Sequence, residues 1–376
     1  MRDSFTEADR KTMRLCIPHY QSSIDTCRFI LMLCVCLNYF GVPTDVGSTV
    51  QIFLNFAPCA CFIFSGYLVL RRSEDRGARI LRAIRRSGVT FAVLFVGYLG
   101  LNLLFEPAYT LVKLSSKRFW FDFVVFNSWN LPIGRTIWFV QAMFYAYIIL
   151  YFLHRWNLLR YDWIIAAAFL FIGLLTGELS ELIHFNFLGE AFIPGNFFTR
   201  ALPYLLIGHL IRRYKPILPD VSLDAWWIAA VGLAMMLGEY ALLQWLDVFS
   251  YRGHLLGMGV IAGALCIWVV TDIDNEDLPF STLSFRRNAV LITYYLCSPV
   301  YYLLARLTYG IDADFYQQVT PYMGIAVIMV CLSIALIHEV LIALIWPDEE
   351  ELPKEHGKVL PAAEEKKQTD EVQALK

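Results

Sequence analysis

The sequence predicts an all-α, polytopic membrane protein with about ten transmembrane helices and both termini on the cytoplasmic side. Three observations predict it. First, 58% of the 376 residues are hydrophobic and 17% charged, against roughly 45–50% and about 25% in a soluble domain. Second, the excess is gathered into repeated apolar blocks, each near the roughly 20 residues a helix needs to cross a bilayer. Third, Lys and Arg alternate between the connecting loops. With the N-terminus inside, the loops 71–88, 154–160, 212–224 and 272–287 carry 14 of them. The loops 43–50, 106–135, 178–196, 247–253 and 308–320 carry 5. Basic residues accumulate on the cytoplasmic side, which fixes the N-in, C-in orientation and an even number of spans.

The ten spans follow in order. The first is the apolar run after Arg28, about 25–42. "QIFLNFAPCACFIFSGYLVL", 51–70, is the second, and the third runs from near Val89 to Phe105. "TIWFVQAMFYAYIILYFL", 136–153, is the fourth. The fifth covers about 161–177, the sixth 197–211 and the seventh 225–246. The last three lie near 254–271, 288–307 and 321–346. The sixth is short and contains Pro203, which removes a backbone donor. The 106–135 loop is the longest exterior one. It holds Trp120, Trp129, Pro107 and Pro132, and such aromatics suit a segment lying at the membrane interface.

Three regions result: a cytoplasmic N-terminal segment 1–22, a membrane domain 23–346, and a tail 347–376 that is charged, poor in aromatics and expected to be disordered. The N-terminus lacks the apolar core of a cleaved signal peptide. Net charge is −2, so nothing points to nucleic acid. The nine cysteines lie mostly inside apolar blocks and read as small buried hydrophobes. No paired CxxC, no His/Glu cluster at metal-ligand spacing and no phosphate-cradling glycine loop occurs, so no metal is expected.

Polar residues within the spans need a reason, because charge in a membrane is costly and by default functional. Arg28 is the first case. Asp25 lies one helical turn before it and can pair with it. Tyr39 lies eleven residues later, on the same helix face and about 16 Å farther along. The alternative is that Arg28 snorkels to headgroups while Tyr39 sits in an aromatic belt. The second case is "FIFSGYLVLRR", where Ser65 and Gly66 either line a pocket or let two helices approach closely. The third is "RRSEDRGARILRAIRRSG", 71–88, whose Arg79, Arg82 and Arg86 recur at three- and four-residue steps. On a helix they form a basic stripe with Arg85 beside it. Arginine forks fit phosphate oxygens, so the stripe suits either anionic lipid or a phosphorylated donor such as a coenzyme A thioester. His209, in "LPYLLIGHLIRR", reads as a packing histidine.

Together these pieces resemble the acyltransferase-3 family of bacterial integral membrane proteins, which includes the O-antigen and exopolysaccharide O-acetyltransferases. "SIDTCRFILMLCVCLNYF" resembles the family's first helix, with an acidic residue, an Arg and an apolar run. "FIFSGYLVLRR" resembles its Ser-Gly-Tyr element and "ARILRAIRRSG" the arginine segment after it. "TIWFVQAMFYAYIILYFL" is similar to a later helix opening with Trp-Phe, and "FFTRALPYLLIGHLIRR" is a weaker fifth match. The resemblance covers roughly 22–346.

It implies a fold of about ten helices in the bacterial plasma membrane. It also implies transfer of an acyl group, usually acetyl, from acyl-CoA to a hydroxyl of an envelope glycan or lipid-linked sugar. Acyl-CoA would be a co-substrate rather than a permanently bound cofactor. Arg28 takes the place of the family's first-helix Arg. Arg79, Arg82, Arg85 and Arg86 would hold the donor's phosphates, and Ser65 and Gly66 would line the substrate pocket. Two departures bear on catalysis. The family places a His where this chain has Tyr39. A His near pKa 6.5 can accept a hydroxyl proton at neutral pH, whereas a tyrosine near pKa 10 stays protonated there. A second family His, in a late helix before a Pro, falls on "ITYYLCSPV", at Cys297 or Ser298. Two further readings stand beside the transferase: a family member without catalysis, and a transporter or flippase for a glycan or lipid.

Overall fold

The computed structural model describes residues 18–40, 47–70, 76–176, 196–214, 224–246, 255–271 and 280–345. The charged tail, most of the N-terminal segment, Arg71, Arg72 and the acidic 178–195 stretch lie outside these residues. Among the described residues every regular element is helical. α1 spans Pro18–Phe40, α2 Gly47–Leu54, α3 Phe56–Val69 and α4 Arg76–Phe105. α5 and α6 are short, Pro107–Ser115 and Lys117–Phe126, followed by α7, Ile137–Arg155. α8 is Asp162–Thr176, α9 Leu202–Tyr214, α10 Ala225–Trp245 and α11 Leu256–Thr271. α12 is Phe280–Ile311, α13 Ala313–Val319 and α14 Met323–Ile345.

Each of the ten apolar stretches is helical where it is described. Among the described residues six helical stretches are long and apolar enough to cross a membrane: Arg76–Phe105, Ile137–Arg155, Leu158–Leu175, Ala225–Trp245, Asn288–Ile311 and Ala313–Leu341. Phe56–Val69 and Leu256–Thr271 are apolar but shorter. The bundle turns large apolar side chains outward, among them Val93, Val96, Leu104, Trp227 and Leu336. Outward apolar faces of this extent need lipid rather than water around them.

α1 and α3 pack together at the centre. α3 is wedged between α1, α9 and α11, while α12 and α14 close on the other side of α1. α4 leans on α7. α3 and α9 touch backbone to backbone. A Cβ on Gly66 would fall on the Leu205 carbonyl, and one on Gly208 on the Ile63 carbonyl. Small residues permit such an approach between membrane helices.

α4 begins at Arg76 rather than near Val89, so the arginine stripe forms the first turns of the helix that enters the apolar block. Arg, Ala, Ile and Leu between Arg76 and Ser87 propagate a helix without interruption. The sixth span survives Pro203, the second residue of α9, because the backbone just before it is wound more widely, as the turn Phe197–Ala201 in which Leu202 N donates to the Phe197 carbonyl five residues back. Such a turn relaxes the regular ladder that a proline interrupts. Asn196 caps that turn, its Oδ1 accepting from the backbone of Phe198 at 2.9 Å and Thr199 at 3.0 Å.

The 106–135 segment is not an interfacial strap throughout. Trp120 is exposed, but Trp129, Leu131 and Ile133 are buried among side chains of α4, α6 and α12. Asn102 fastens the buried part, donating to the Tyr98 carbonyl at 2.7 Å and the Ile133 carbonyl at 2.8 Å. Its Oδ1 accepts from Ile133 N at 3.1 Å. Pro299 cannot donate to the Tyr295 carbonyl one turn earlier in α12, and Tyr98 Oη donates to that carbonyl instead at 2.9 Å. Ser298 Oγ accepts from Gly134 N at 2.7 Å. Asn102→Ala would strand the Ile133 N–H in an apolar setting, at about 1–3 kcal/mol for an unsatisfied group, while the Ile133 carbonyl keeps the Trp129 Nε1 donor at 2.7 Å. The expected result is a markedly lower melting temperature in detergent.

Candidate functional site

Two concave regions lie at opposite ends of the central helices, with a polar cluster along the helices themselves. The first region, of about 470 Å³, opens where α3 ends, α4 begins, and α7 and α9 end. Arg76, Arg160, Arg212, Arg213, His154 and His209 line it, and among the described residues no carboxylate does. Beneath it lies Asp162, fully buried at the start of α8. Asp162 Oδ2 is 2.7 Å from His209 Nδ1, and Oδ1 is 3.5 Å from Arg213. The carboxylate therefore fixes the His209 ring and leaves Nε2 as the ring's free nitrogen, an arrangement that selects the tautomer and orientation of a histidine. Arg212 is anchored separately. It donates to Tyr67 Oη at 2.6 Å, and its guanidinium lies 4.9 Å from that ring's centroid.

The second cluster is midway along α1, α3 and α7. Arg28 is 3.8 Å from Asp25, with its side chain 40% exposed. Ser65 Oγ donates to the Cys61 carbonyl at 2.8 Å and lies within hydrogen-bond reach of the Tyr147 hydroxyl. Arg28 and Arg86 both act electrostatically on Tyr147. Arg28, Ser65 and Arg86, singled out in the sequence, thus converge on a tyrosine that the sequence did not mark. Tyr147 sits in an apolar helix with two other tyrosines, Tyr145 and Tyr151, so nothing in its local pattern separates it from packing aromatics. Gly66, beside Ser65, faces Leu205 of α9 and serves the helix contact. Of the remaining stripe residues, Arg79 is half-buried and Arg82 and Arg85 are exposed on α4.

Tyr39 lies at the far end of α1. It lines the other concave region, of about 740 Å³, with Trp138, Arg200, Arg135 and Lys113. Its wall is the Asn127–Arg135 loop, shaped by left-handed Asn127 (φ 59°) and by Gly134 (φ 103°). At Gly134 a positive φ and the nearby Tyr98 ring both favour glycine. Asn127 Nδ2 donates to the Trp138 carbonyl at 2.7 Å. The Arg200 guanidinium lies 5.6 Å from the Trp138 ring centroid. Asn38, next to Tyr39, donates to Asn55 Oδ1 at 2.8 Å, where α2 gives way to α3. The amide pair ties α1 to that break.

Where the resemblance places a second histidine, Ser298 holds the Gly134 backbone and Cys297 is buried. Both residues serve the loop and the core. Among the described residues no group of three His, Cys, Asp or Glu side chains could hold a metal, and the cysteines among them are free thiols.

Comparison with known proteins adds one match. No curated protein and no solved structure matches the chain. A family model described as an acyltransferase domain matches residues 21–338, the stretch that contains α1, the Ser65 turn, both concave regions and Pro299. On that match the chain belongs to the acyltransferase-3 family of multi-pass membrane proteins.

Proposed function

We propose that this protein is a cell-membrane acyltransferase that moves an acyl group, acetyl by preference, from acyl-CoA to a hydroxyl of an envelope glycan or lipid-linked sugar. The observation that carries this reading is the pairing of two differently built recesses, one where α3 ends and α4 begins and the other where α1 ends. In the proposed orientation, with ten spans and both termini inside, the Arg76–Arg213 recess faces the cytoplasm. Four arginines, with no carboxylate lining the recess among the described residues, suit the phosphates of a coenzyme A donor. The stripe on α4 extends the same positive field along the membrane surface.

The acyl-bearing arm would run from there past Arg28, Ser65 and Tyr147. Arg28 and the hydroxyls beside it would donate to the arm's carbonyl oxygens and hold it in line, in a setting that excludes water and strengthens such contacts. The acceptor would enter the Tyr39 recess. In the reaction the acceptor oxygen attacks the thioester carbonyl carbon and the C–S bond breaks. An ester forms, the sulfur leaves as coenzyme A, and the hydroxyl proton ends on the departing thiol. Tyr39, protonated at neutral pH, would orient the acceptor hydroxyl rather than act as a strong base.

Arg160 and Arg212 test the donor side. Arg160 is exposed and touches only the Tyr161 ring among the described residues. A charge-assisted bond to phosphate is worth about 1.5–3 kcal/mol. Arg160→Gln with Arg212→Gln is therefore expected to raise the KM for acetyl-CoA by about tenfold or more, with kcat little changed. Steady-state release of free coenzyme A reads this. An unchanged KM would remove the recess from the donor's path.

A further inference from the structure

The recess at the Tyr39 end is built for more than a neutral hydroxyl. Three cations line it, Lys113, Arg135 and Arg200, and among the described residues no carboxylate does. Arg200 is the telling one. It is 9% exposed, and its Nε has no hydrogen-bond partner. Among the described residues no carboxylate pairs with it; its neighbours there include the Trp138 ring, Tyr39, Cys59 and Tyr204. An unpaired guanidinium removed from water costs several kcal/mol. Buried charges are normally paired, and among the described residues none supplies the anion that would balance this one.

Two more groups in the same recess are under-satisfied. Trp138 Nε1 is a buried donor with no well-aligned hydrogen bond, the Tyr39 hydroxyl being its polar neighbour, and Asn127 Oδ1 is a buried acceptor without a partner. Asn127 cannot turn to cover its own deficit, because its Nδ2 is spent on the Trp138 carbonyl. An under-used donor and an orphaned acceptor beside aromatic rings match the edge of a sugar, whose hydroxyls both donate and accept. The orphaned cation beside them matches an oxyanion.

We infer that the Tyr39–Trp138–Arg200 recess binds an acceptor that carries an anionic oxygen group next to its sugar hydroxyls, with Arg200 reading the anion. The anion could be a carboxylate on the sugar, as in a uronate, or the phosphate that joins a sugar to its lipid. The inference rests on the acyltransferase reading for its statement that the occupant is an acceptor, while binding itself can be tested without a donor.

The test is tryptophan-fluorescence titration of the full-length protein in nanodiscs, without acyl-CoA. The probes are a glucuronate tetrasaccharide, its neutral glucose counterpart, and glucose joined through phosphate to a short polyprenyl chain. One of the two anionic probes is expected to bind about tenfold or more tighter than the neutral one, and which one wins identifies the source of the anion. Arg200→Gln should erase that preference, weakening the anionic probe about 10- to 100-fold and leaving the neutral one within about twofold. Arg135→Gln, on an exposed loop residue, should weaken the anionic probe less. It decides the matter if Arg200→Gln does not fold. Equal binding of all three probes, or an anionic preference untouched by either substitution, would overturn the inference. Failure to turn over acetyl-CoA, with the preference intact, would count against the transferase reading alone.

Discussion

Gly208→Ala is expected to cost about 3 kcal/mol or more and to leave little folded protein after detergent extraction. The new methyl group would fall on the Ile63 carbonyl and lie 2.7 Å from Tyr67 N. Both are backbone atoms of α3, so no side-chain rotation relieves the clash and the helices must part. Overpacking typically costs about 1–3 kcal/mol, and a backbone-on-backbone clash lies at or beyond the upper end. Gly66→Ala, aimed at the Leu205 backbone from the other side, should behave alike. The separation would also disturb the Arg212–Tyr67 bond, which spans the same pair of helices. Gly100→Ala is the control. Nothing lies within 4 Å of its Cβ position, and in a helix interior alanine is favoured over glycine by about 1 kcal/mol. Size-exclusion profiles and thermal scans of the three variants check the ordering.

Arg28→Ala is expected to lower kcat/KM for acyl transfer about 10- to 100-fold, the worth of a charge-assisted hydrogen bond or two, with little loss of stability. The Arg28 side chain is 40% exposed, and its ion pair with Asp25 is long, at 3.8 Å. Pairs of that kind contribute about 0–1 kcal/mol. A large kinetic effect beside a small thermal one separates a residue that holds substrate from one that holds the fold. Arg28→Lys should recover only part of the rate, because an ammonium lacks the planar fork.

The helices were legible because each rests on a local pattern, an apolar run or a stripe at helical spacing, whereas the wide turn that accommodates Pro203 in the sixth was not. The Arg28–Tyr39 relation was legible for the same reason, since both lie on one unbroken helix. Ser65 and Gly66 carried two readings, and the structure divides them, turning Ser65 toward Tyr147 and Gly66 toward α9. What the pattern could not carry is pairing across the chain. Ser298 and Gly134 are 164 positions apart, and Asp162 and His209 are 47 apart. His209 read as a packing residue because its carboxylate partner opens a different helix. Arg200 stood in a quoted stretch without a role, since only the fold shows that it is buried with no carboxylate partner among the described residues. Trp129 read as interfacial because burial of a loop aromatic depends on Asn102 and Tyr98, which belong to α4.

The most direct test of the central claim is release of coenzyme A from radiolabelled acetyl-CoA by purified wild-type protein, with an envelope-glycan fraction as acceptor and Tyr39→His assayed alongside. The account predicts acceptor-dependent turnover by the wild type well above the Arg28→Ala background, with label appearing in a base-labile ester on the glycan. It also predicts faster turnover by Tyr39→His, because a histidine can take the hydroxyl proton near neutral pH. Silence from both proteins, together with no detectable binding of acetyl-CoA, would contradict it.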